Sequence, residues 1–189
     1  MVKTDKKLPV GVDSFEKLVR DGYYYLDKTG FIRQLVNCHG EVNLFTCPRR
    51  FGKTLNMSML KAFFEIGTNK SLFDGLEISR ERENCAVFQG QYPVLFLSLK
   101  EMGGKTFEDA IAVLAQLISI ECQRLSFLLE STKINCFDKE YLEQLVKKKL
   151  DIVDLKIQDN LLVHYSDWRV GWTTIRRISR LEDSTKPCT

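Results

Sequence analysis

The stretch from Glu41 to Ile66 constrains this chain more than any other. Glu41-Val42-Asn43-Leu44-Phe45-Thr46 reads as a short strand, Cys47-Pro48-Arg49-Arg50-Phe51-Gly52 as a tight loop, and Lys53-Thr54 as the opening of a helix that runs on to Ile66. Strand, loop, Gly-Lys-Thr and helix is the layout of a phosphate-binding P-loop. The first amides of a helix have no acceptor inside the helix, and the helix dipole adds partial positive charge at the same end, so an anion fits there.

The full pattern asks for Gly, four residues, then Gly-Lys-Ser/Thr. Gly52, Lys53 and Thr54 satisfy its second half, while Cys47 occupies the first glycine position. Pro48 stiffens the loop but has no N–H to donate. Gly52 supplies a backbone position that a side chain would obstruct. In this reading Lys53 reaches the outer phosphates, and the Thr54 hydroxyl sits on magnesium. The competing reading is a basic loop carrying Gly-Lys-Thr by coincidence. Placement between an apolar strand and an amphipathic helix favours the phosphate site.

The chain has 189 residues, 44% hydrophobic and 28% charged, which is ordinary for a globular protein with a real core. A net charge of +3 lends no support to a nucleic-acid binder, which is usually more basic and clustered. Six cysteines include no Cys-x-x-Cys pair, and Cys38-His39 is only a dipeptide, so no zinc site is expected. No apolar signal core follows the charged start, and no run approaches the ~20 apolar residues that cross a bilayer. A cytoplasmic protein with reduced thiols and no membrane partner is the reading.

Along the chain, Asp13 or Ser14 caps a short helix from Phe15 to Arg20, ended by Gly22. Tyr23-Tyr24-Tyr25-Leu26 reads as a strand, because aromatics favour a pleated surface. A helix follows over Gly30 to Asn37, with Ile32 and Leu35 inward. In the P-loop helix, Leu55, Met59, Phe63 and Ile66 fall at helical spacing beside Leu60 and Phe64, a core stripe. Tyr92 to Leu99 is a second strand, apolar enough to be buried on both faces as in a parallel sheet. Thr106 caps a long helix whose stripe is Phe107, Ile111, Leu114, Ile118, Cys122, Leu125 and Leu129. Asp138 starts another helix, running to Leu150, and Asp154 to Tyr165 reads as one more. After Tyr165 no clean period remains, and 161–189 is expected to be an irregular tail.

Several motifs occur in a fixed order: Gly11-Val12-Asp13-Ser14-Phe15, Tyr25-Leu26-Asp27-Lys28-Thr29, Asn43 through Leu55, and Tyr92-Pro93-Val94-Leu95-Phe96-Leu97-Ser98. Over residues 8–160 the chain resembles the N-terminal part of the bacterial AAA-ATPase-like proteins, whose full-length members carry a C-terminal nuclease-like domain of the PD-(D/E)XK kind. The resemblance implies an α/β fold, an incomplete P-loop NTPase-like parallel sheet flanked by helices, with ATP and magnesium as ligands. It implies a site made of Arg49, Arg50, Phe51, Gly52, Lys53, Thr54 and Leu55, with Thr54 on the metal. It also draws attention to Asp27-Lys28-Thr29, whose simpler reading is a turn and helix cap.

The chain departs from the family's pattern in three ways. Cys47 stands where another arginine is usual. The strand ending in paired acids, which holds magnesium and orients water, is not found, since Tyr92 to Leu99 ends in Lys100-Glu101. The nuclease-like part is not found either. The abrupt change near residue 160, where pattern and acids are lost together, is read as a truncated or frame-shifted copy, or a fragment; sequencing the locus and finding no acid-ended strand in any downstream frame would remove that reading. The functional expectation is an ATP-binding domain with little or no hydrolysis by itself. The alternative is a non-enzymatic interaction module, associated with nucleic acid through Trp168, Arg169, Trp172, Arg176 and Arg177.

Overall fold

The computed structural model describes residues 6–38, 42–46, 48, 51–98, 106–131, 136–147, 162–167 and 172–176. Helices and strands are mixed along the chain, which divides into two units, Met1–Val94 and Leu95–Thr189.

In the first unit, helix α1 (Phe15–Arg20) begins at Ser14, whose hydroxyl accepts the Lys17 amide at 3.3 Å. Gly22 follows at φ 69°, a left-handed position that reverses the chain. Tyr23 to Leu26 do not form the expected strand. Their backbone bonds to loops and a helix end instead, Tyr23 N–H to the Leu18 carbonyl and Tyr24 N–H to that of Lys7. Tyr25 turns its ring edge-on to Phe15 at 5.4 Å. Tyr25 thus serves the core rather than a ladder, while Tyr24 is 52% exposed.

Helix α2 (Gly30–Asn37) buries Ile32 and Val36, one turn apart, while Leu35 is only half-buried. Strand β1 (Val42–Thr46) leads towards helix α3 (Lys53–Phe64), and the Phe31 ring of α2 meets Phe45 of β1 edge-on at 4.6 Å. Helix α3 buries Met57, Met59, Leu60, Ala62, Phe63 and Phe64. That is wider than a single stripe, because α3 is enclosed on most sides towards its C-terminal end. Leu55 is half-buried, and Ile66 lies beyond the helix and is 41% exposed. The chain turns extended at Glu65, which bridges Tyr92 in parallel fashion, and the amides of Gly90 and Tyr92 bond the carbonyls of Phe63 and Phe64.

Two 3-10 turns, Lys70–Phe73 and Glu77–Arg80, and helix α4 (Arg82–Phe88) complete the unit. Phe73 joins Phe15 (5.0 Å, stacked) and Phe63 (5.3 Å, edge-on) in an aromatic centre that is fully buried. Such pairs add about 0.5–1.5 kcal/mol each beyond the area they bury.

Strand β2 (Val94–Ser98) runs into the second unit, with Val94, Leu95 and Leu97 buried. Helix α5 (Phe107–Arg124) opens on a full capping box: the Thr106 hydroxyl accepts the Asp109 amide and the Asp109 carboxylate accepts the Thr106 amide. Ile118 and Cys122 of its expected stripe are buried, as is Leu125 just past its end, and Phe107 at its start is 74% exposed. A 3-10 turn (Ser126–Glu130) and helix α6 (Cys136–Val146) close the core with Leu128, Leu142 and Leu145. Helix α6 starts two residues before the expected Asp138, and 148–150 lie outside the described residues.

The expected helix over Asp154 to Tyr165 falls outside the described residues as far as 161, and Leu162 to Tyr165 belong to a strand. Strand β3 (Leu162–Asp167) pairs antiparallel with β4 (Trp172–Arg176), from His164 opposite Ile175 to Asp167 opposite Trp172. In this unit β3 lies between β4 and β2. β4 is rich in β-branched and aromatic residues, and β3 carries Val163 and Tyr165, types that favour a pleated ladder even without a clean period. Thus parts of the stretch read as an irregular tail hold strands.

Candidate functional site

The loop between β1 and α3 is built by a change of backbone hand. Gly52 sits at φ 78° and ψ 26°, the left-handed region, and is the N-cap of α3. An L side chain there is strained by about 1–2 kcal/mol, so glycine is the residue that makes this bend readily. The Gly52 carbonyl already accepts the first helical bond, from the Asn56 amide at 2.9 Å. The N-cap supplies no side-chain acceptor, unlike Ser14 at α1 and Thr106 at α5. The first amides of a helix have no acceptor inside it, and the capping residue's side chain provides none here.

Of the residues expected in the site, Phe51 is 61% exposed at the loop tip. Lys53, Thr54 and Leu55 are half-buried on the first turn of α3. Arg49, Arg50 and Cys47 lie outside the described residues. Among the described residues no cluster of three His, Cys, Asp or Glu could hold a metal ion.

The Asp27-Lys28-Thr29 segment lies against this loop and separates into two functions. The Asp27 carboxylate accepts the Thr29 amide (2.8 Å), the Thr29 hydroxyl (2.7 Å) and the Glu77 amide (2.7 Å). Thr29 is fully buried, and its hydroxyl accepts the Ile78 amide at 3.1 Å. Burial works to raise the Asp27 pKa, but the bonds from Thr29 and Glu77 and the Arg80 charge outweigh it and hold the carboxyl below its usual range. Asp27 is thus a turn residue, as its simpler reading has it. Thr29 is the N-cap of α2 by position yet makes no side-chain cap, because its hydroxyl is committed to Asp27 and Ile78.

Lys28 points the other way. Its ammonium donates to the Phe51 carbonyl at 3.3 Å and lies 3.9 Å from where a Cβ on Gly52 would stand. Its own amide donates to the Tyr25 hydroxyl at 3.3 Å, and that hydroxyl contacts the Met59 sulfur of α3 at 3.3 Å. Burial first, then the Asp27 charge, push the Tyr25 phenol up to about 12, against the Lys28 amide bond that lowers it. A second tie, from the Phe15 amide to the Ser58 hydroxyl at 2.6 Å, fixes α1 to the same helix. Reasoning from the loop's own sequence misses Lys28, which lies 23 residues upstream of Phe51. The ordered motif Tyr25-Leu26-Asp27-Lys28-Thr29 was the signal pointing to it.

Comparison with known proteins gives a consistent outcome. The sequence model of a family described as "Predicted AAA-ATPase" matches residues 9–163. The chain is 37% identical over 124 residues to the "Uncharacterized protein in vnfD 5'region" of Azotobacter chroococcum mcd 1, covering 64% of this chain and 22% of that protein. The chain thus spans under a quarter of the length of the curated relative it matches. No solved structure matches.

Proposed function

This chain belongs to the AAA-ATPase-like family, and from that premise we propose that residues 8–160 are a partial P-loop domain that binds ATP with magnesium at the loop before α3. The observation that carries the reading is left-handed Gly52, opening α3 directly on Lys53-Thr54 with no side-chain cap. In this proposal the amides of Arg50 to Thr54 cradle the phosphates, with Leu55 completing the first turn. Lys53 places its charge on the outer phosphates, and Arg49 and Arg50 add theirs. The Thr54 hydroxyl holds magnesium, which when bound offsets charge between phosphate groups.

The finer architecture belongs to the same proposal: a parallel P-loop sheet flanked by helices, with β1 and β2 as the apolar strands it needs. Strands β3 and β4, which pair antiparallel with β3 next to β2, fall in the 161–189 region. We place the protein in the cytoplasm. The support is that Cys38, Cys85 and Cys122 are free thiols and that no helix among the described residues is long and apolar enough to cross a membrane.

Hydrolysis by this chain alone is proposed to be slight, because no strand ending in paired acids follows the loop in the sequence. The test is thermal unfolding with magnesium-ATP, beside Lys53→Ala, with phosphate release followed in the same samples. At a hundred times Kd a ligand stabilises by about 2.7 kcal/mol, on the order of 5–10 °C for a chain this long. Protection in the wild type and its loss in Lys53→Ala are expected. No protection at millimolar nucleotide, or Lys53-dependent multiple turnover, overturns the corresponding half of the reading.

A further inference from the structure

We propose that Lys28 is a positioning residue of the nucleotide site: by holding the Phe51 carbonyl, it aims the Gly52 N–H into the phosphate cradle. The inference rests on the ATP-binding reading above. It adds a residue outside the loop that sets the orientation of one peptide within it.

In a planar trans peptide the C=O and N–H point in opposite directions. The Phe51 C=O and the Gly52 N–H belong to one such unit. Lys28 donates to that carbonyl at 3.3 Å, so the Gly52 N–H faces away from the lysine. The same unit borders Gly52, whose backbone is left-handed, φ 78°. A peptide next to such a glycine rotates with little steric resistance, since no Cβ obstructs either orientation. Its direction must therefore be set by something it bonds to.

Lys28 is suited to that role because its own backbone is fixed. On one side its amide is bonded to Tyr25, which contacts Met59 in the helix that the loop opens. On the other, Thr29 is fully buried and tied to Asp27 and Ile78. The lysine thus hangs between two anchors, one of them on α3 itself. A surface lysine on a free loop would lose most of its carbonyl bond to water and to rotamer entropy. Here the geometry also separates two roles. Because the ammonium is on the carbonyl side of the peptide, it lies opposite the anion that the Gly52 N–H would meet. Lys28 then acts through the peptide, not as a phosphate ligand.

The two roles differ in what they discriminate. The backbone amides of a P-loop cradle the inner phosphates, which ATP and ADP share. A misdirected Gly52 amide weakens both nucleotides alike, whereas loss of a cation on the terminal phosphate weakens ATP alone. The experiment measures ATP and ADP affinity by calorimetry for wild type, Lys28→Met, Lys28→Arg and Lys53→Ala, with magnesium, and follows the Gly52 amide resonance by NMR. Lys28→Met is expected to weaken both nucleotides on the order of tenfold, the worth of one charge-assisted hydrogen bond. Lys28→Arg is expected to restore binding, and the Gly52 amide to shift on ATP addition in the wild type but not in Lys28→Met. Unchanged affinity in Lys28→Met, or a loss confined to ATP, overturns the proposal. If Lys28→Met does not fold, the wild type decides: a Gly52 amide that ignores saturating ATP also overturns it. Loss of binding in Lys53→Ala alongside intact binding in Lys28→Met sinks this inference while the ATP-binding reading stands. A wild type with no affinity for either nucleotide sinks both.

Discussion

Gly52→Ala tests the loop at its sharpest point. The native backbone there is left-handed, φ 78° and ψ 26°. An alanine Cβ would meet nothing nearer than the Lys28 ammonium at 3.9 Å, an ordinary contact at the end of a flexible side chain. Steric clash with neighbours therefore contributes nothing, and the whole cost is the backbone conformation, about 1–2 kcal/mol. In a chain of 189 residues each kcal/mol moves the unfolding midpoint by about 2–4 °C, so a fall of about 2–8 °C is expected. Asn visits the left-handed region more readily, so Gly52→Asn is expected to lose less. Gly67→Ala is the control. Gly67 has φ 85° and nothing within 4 Å of an added Cβ, but it lies past the other end of the 12-residue α3, about 18 Å away along the axis. Its stability loss is expected to match that of Gly52→Ala, while its nucleotide protection is expected to stay at the wild-type level. Calorimetric midpoints with and without magnesium-ATP measure both quantities. Equal midpoints for wild type and Gly52→Ala refute the strain argument. Equal loss of nucleotide protection in Gly52→Ala and Gly67→Ala refutes the claim that the strain bears on the site.

Two further outcomes follow from the titrating groups. Tyr25 is raised from 10.0 to about 12 in the folded chain, so its neutral form is favoured there. The stability it contributes is complete below about pH 10 and is lost as pH rises from about 10 to about 12. Stability of Tyr25→Phe, measured by denaturant unfolding, is expected to fall less steeply than wild type across that window; parallel curves would count against it. Among the described cysteines, Cys38 is exposed, Cys85 is half-buried and raised by burial, and Cys122 is buried and pushed up to about 11 by burial and then by the Glu121 charge. Alkylation of the native protein near neutral pH, read by peptide mass spectrometry, is expected to modify Cys38 first and Cys122 last. Early modification of Cys122 would show that the α5 core opens freely.

The sequence by itself set those features that depend on neighbours along the chain. Ser14 and Thr106 cap their helices because a hydroxyl reaches amides two or three residues on, a local event. Gly52 bends the loop because it lacks a Cβ, and the apolar run Val94 to Leu97 buries Val94, Leu95 and Leu97, with Phe96 half-buried. The family was legible for the same reason, through short motifs in a fixed order. Tertiary structure decided what depends on partners far away. Tyr25 has strand propensity, yet its ring found Phe15 and its hydroxyl found Met59, so no ladder formed. Val36 took the inward place expected of Leu35, and Ile66 was left outside when the chain turned to meet Tyr92. Lys28 reached the Phe51 carbonyl only because Asp27 and Thr29, bonded to the turn at Glu77 and Ile78, set the direction of the chain between them. A propensity belongs to a residue, whereas a bond spanning 23 or 50 positions exists only once the fold has brought both ends together.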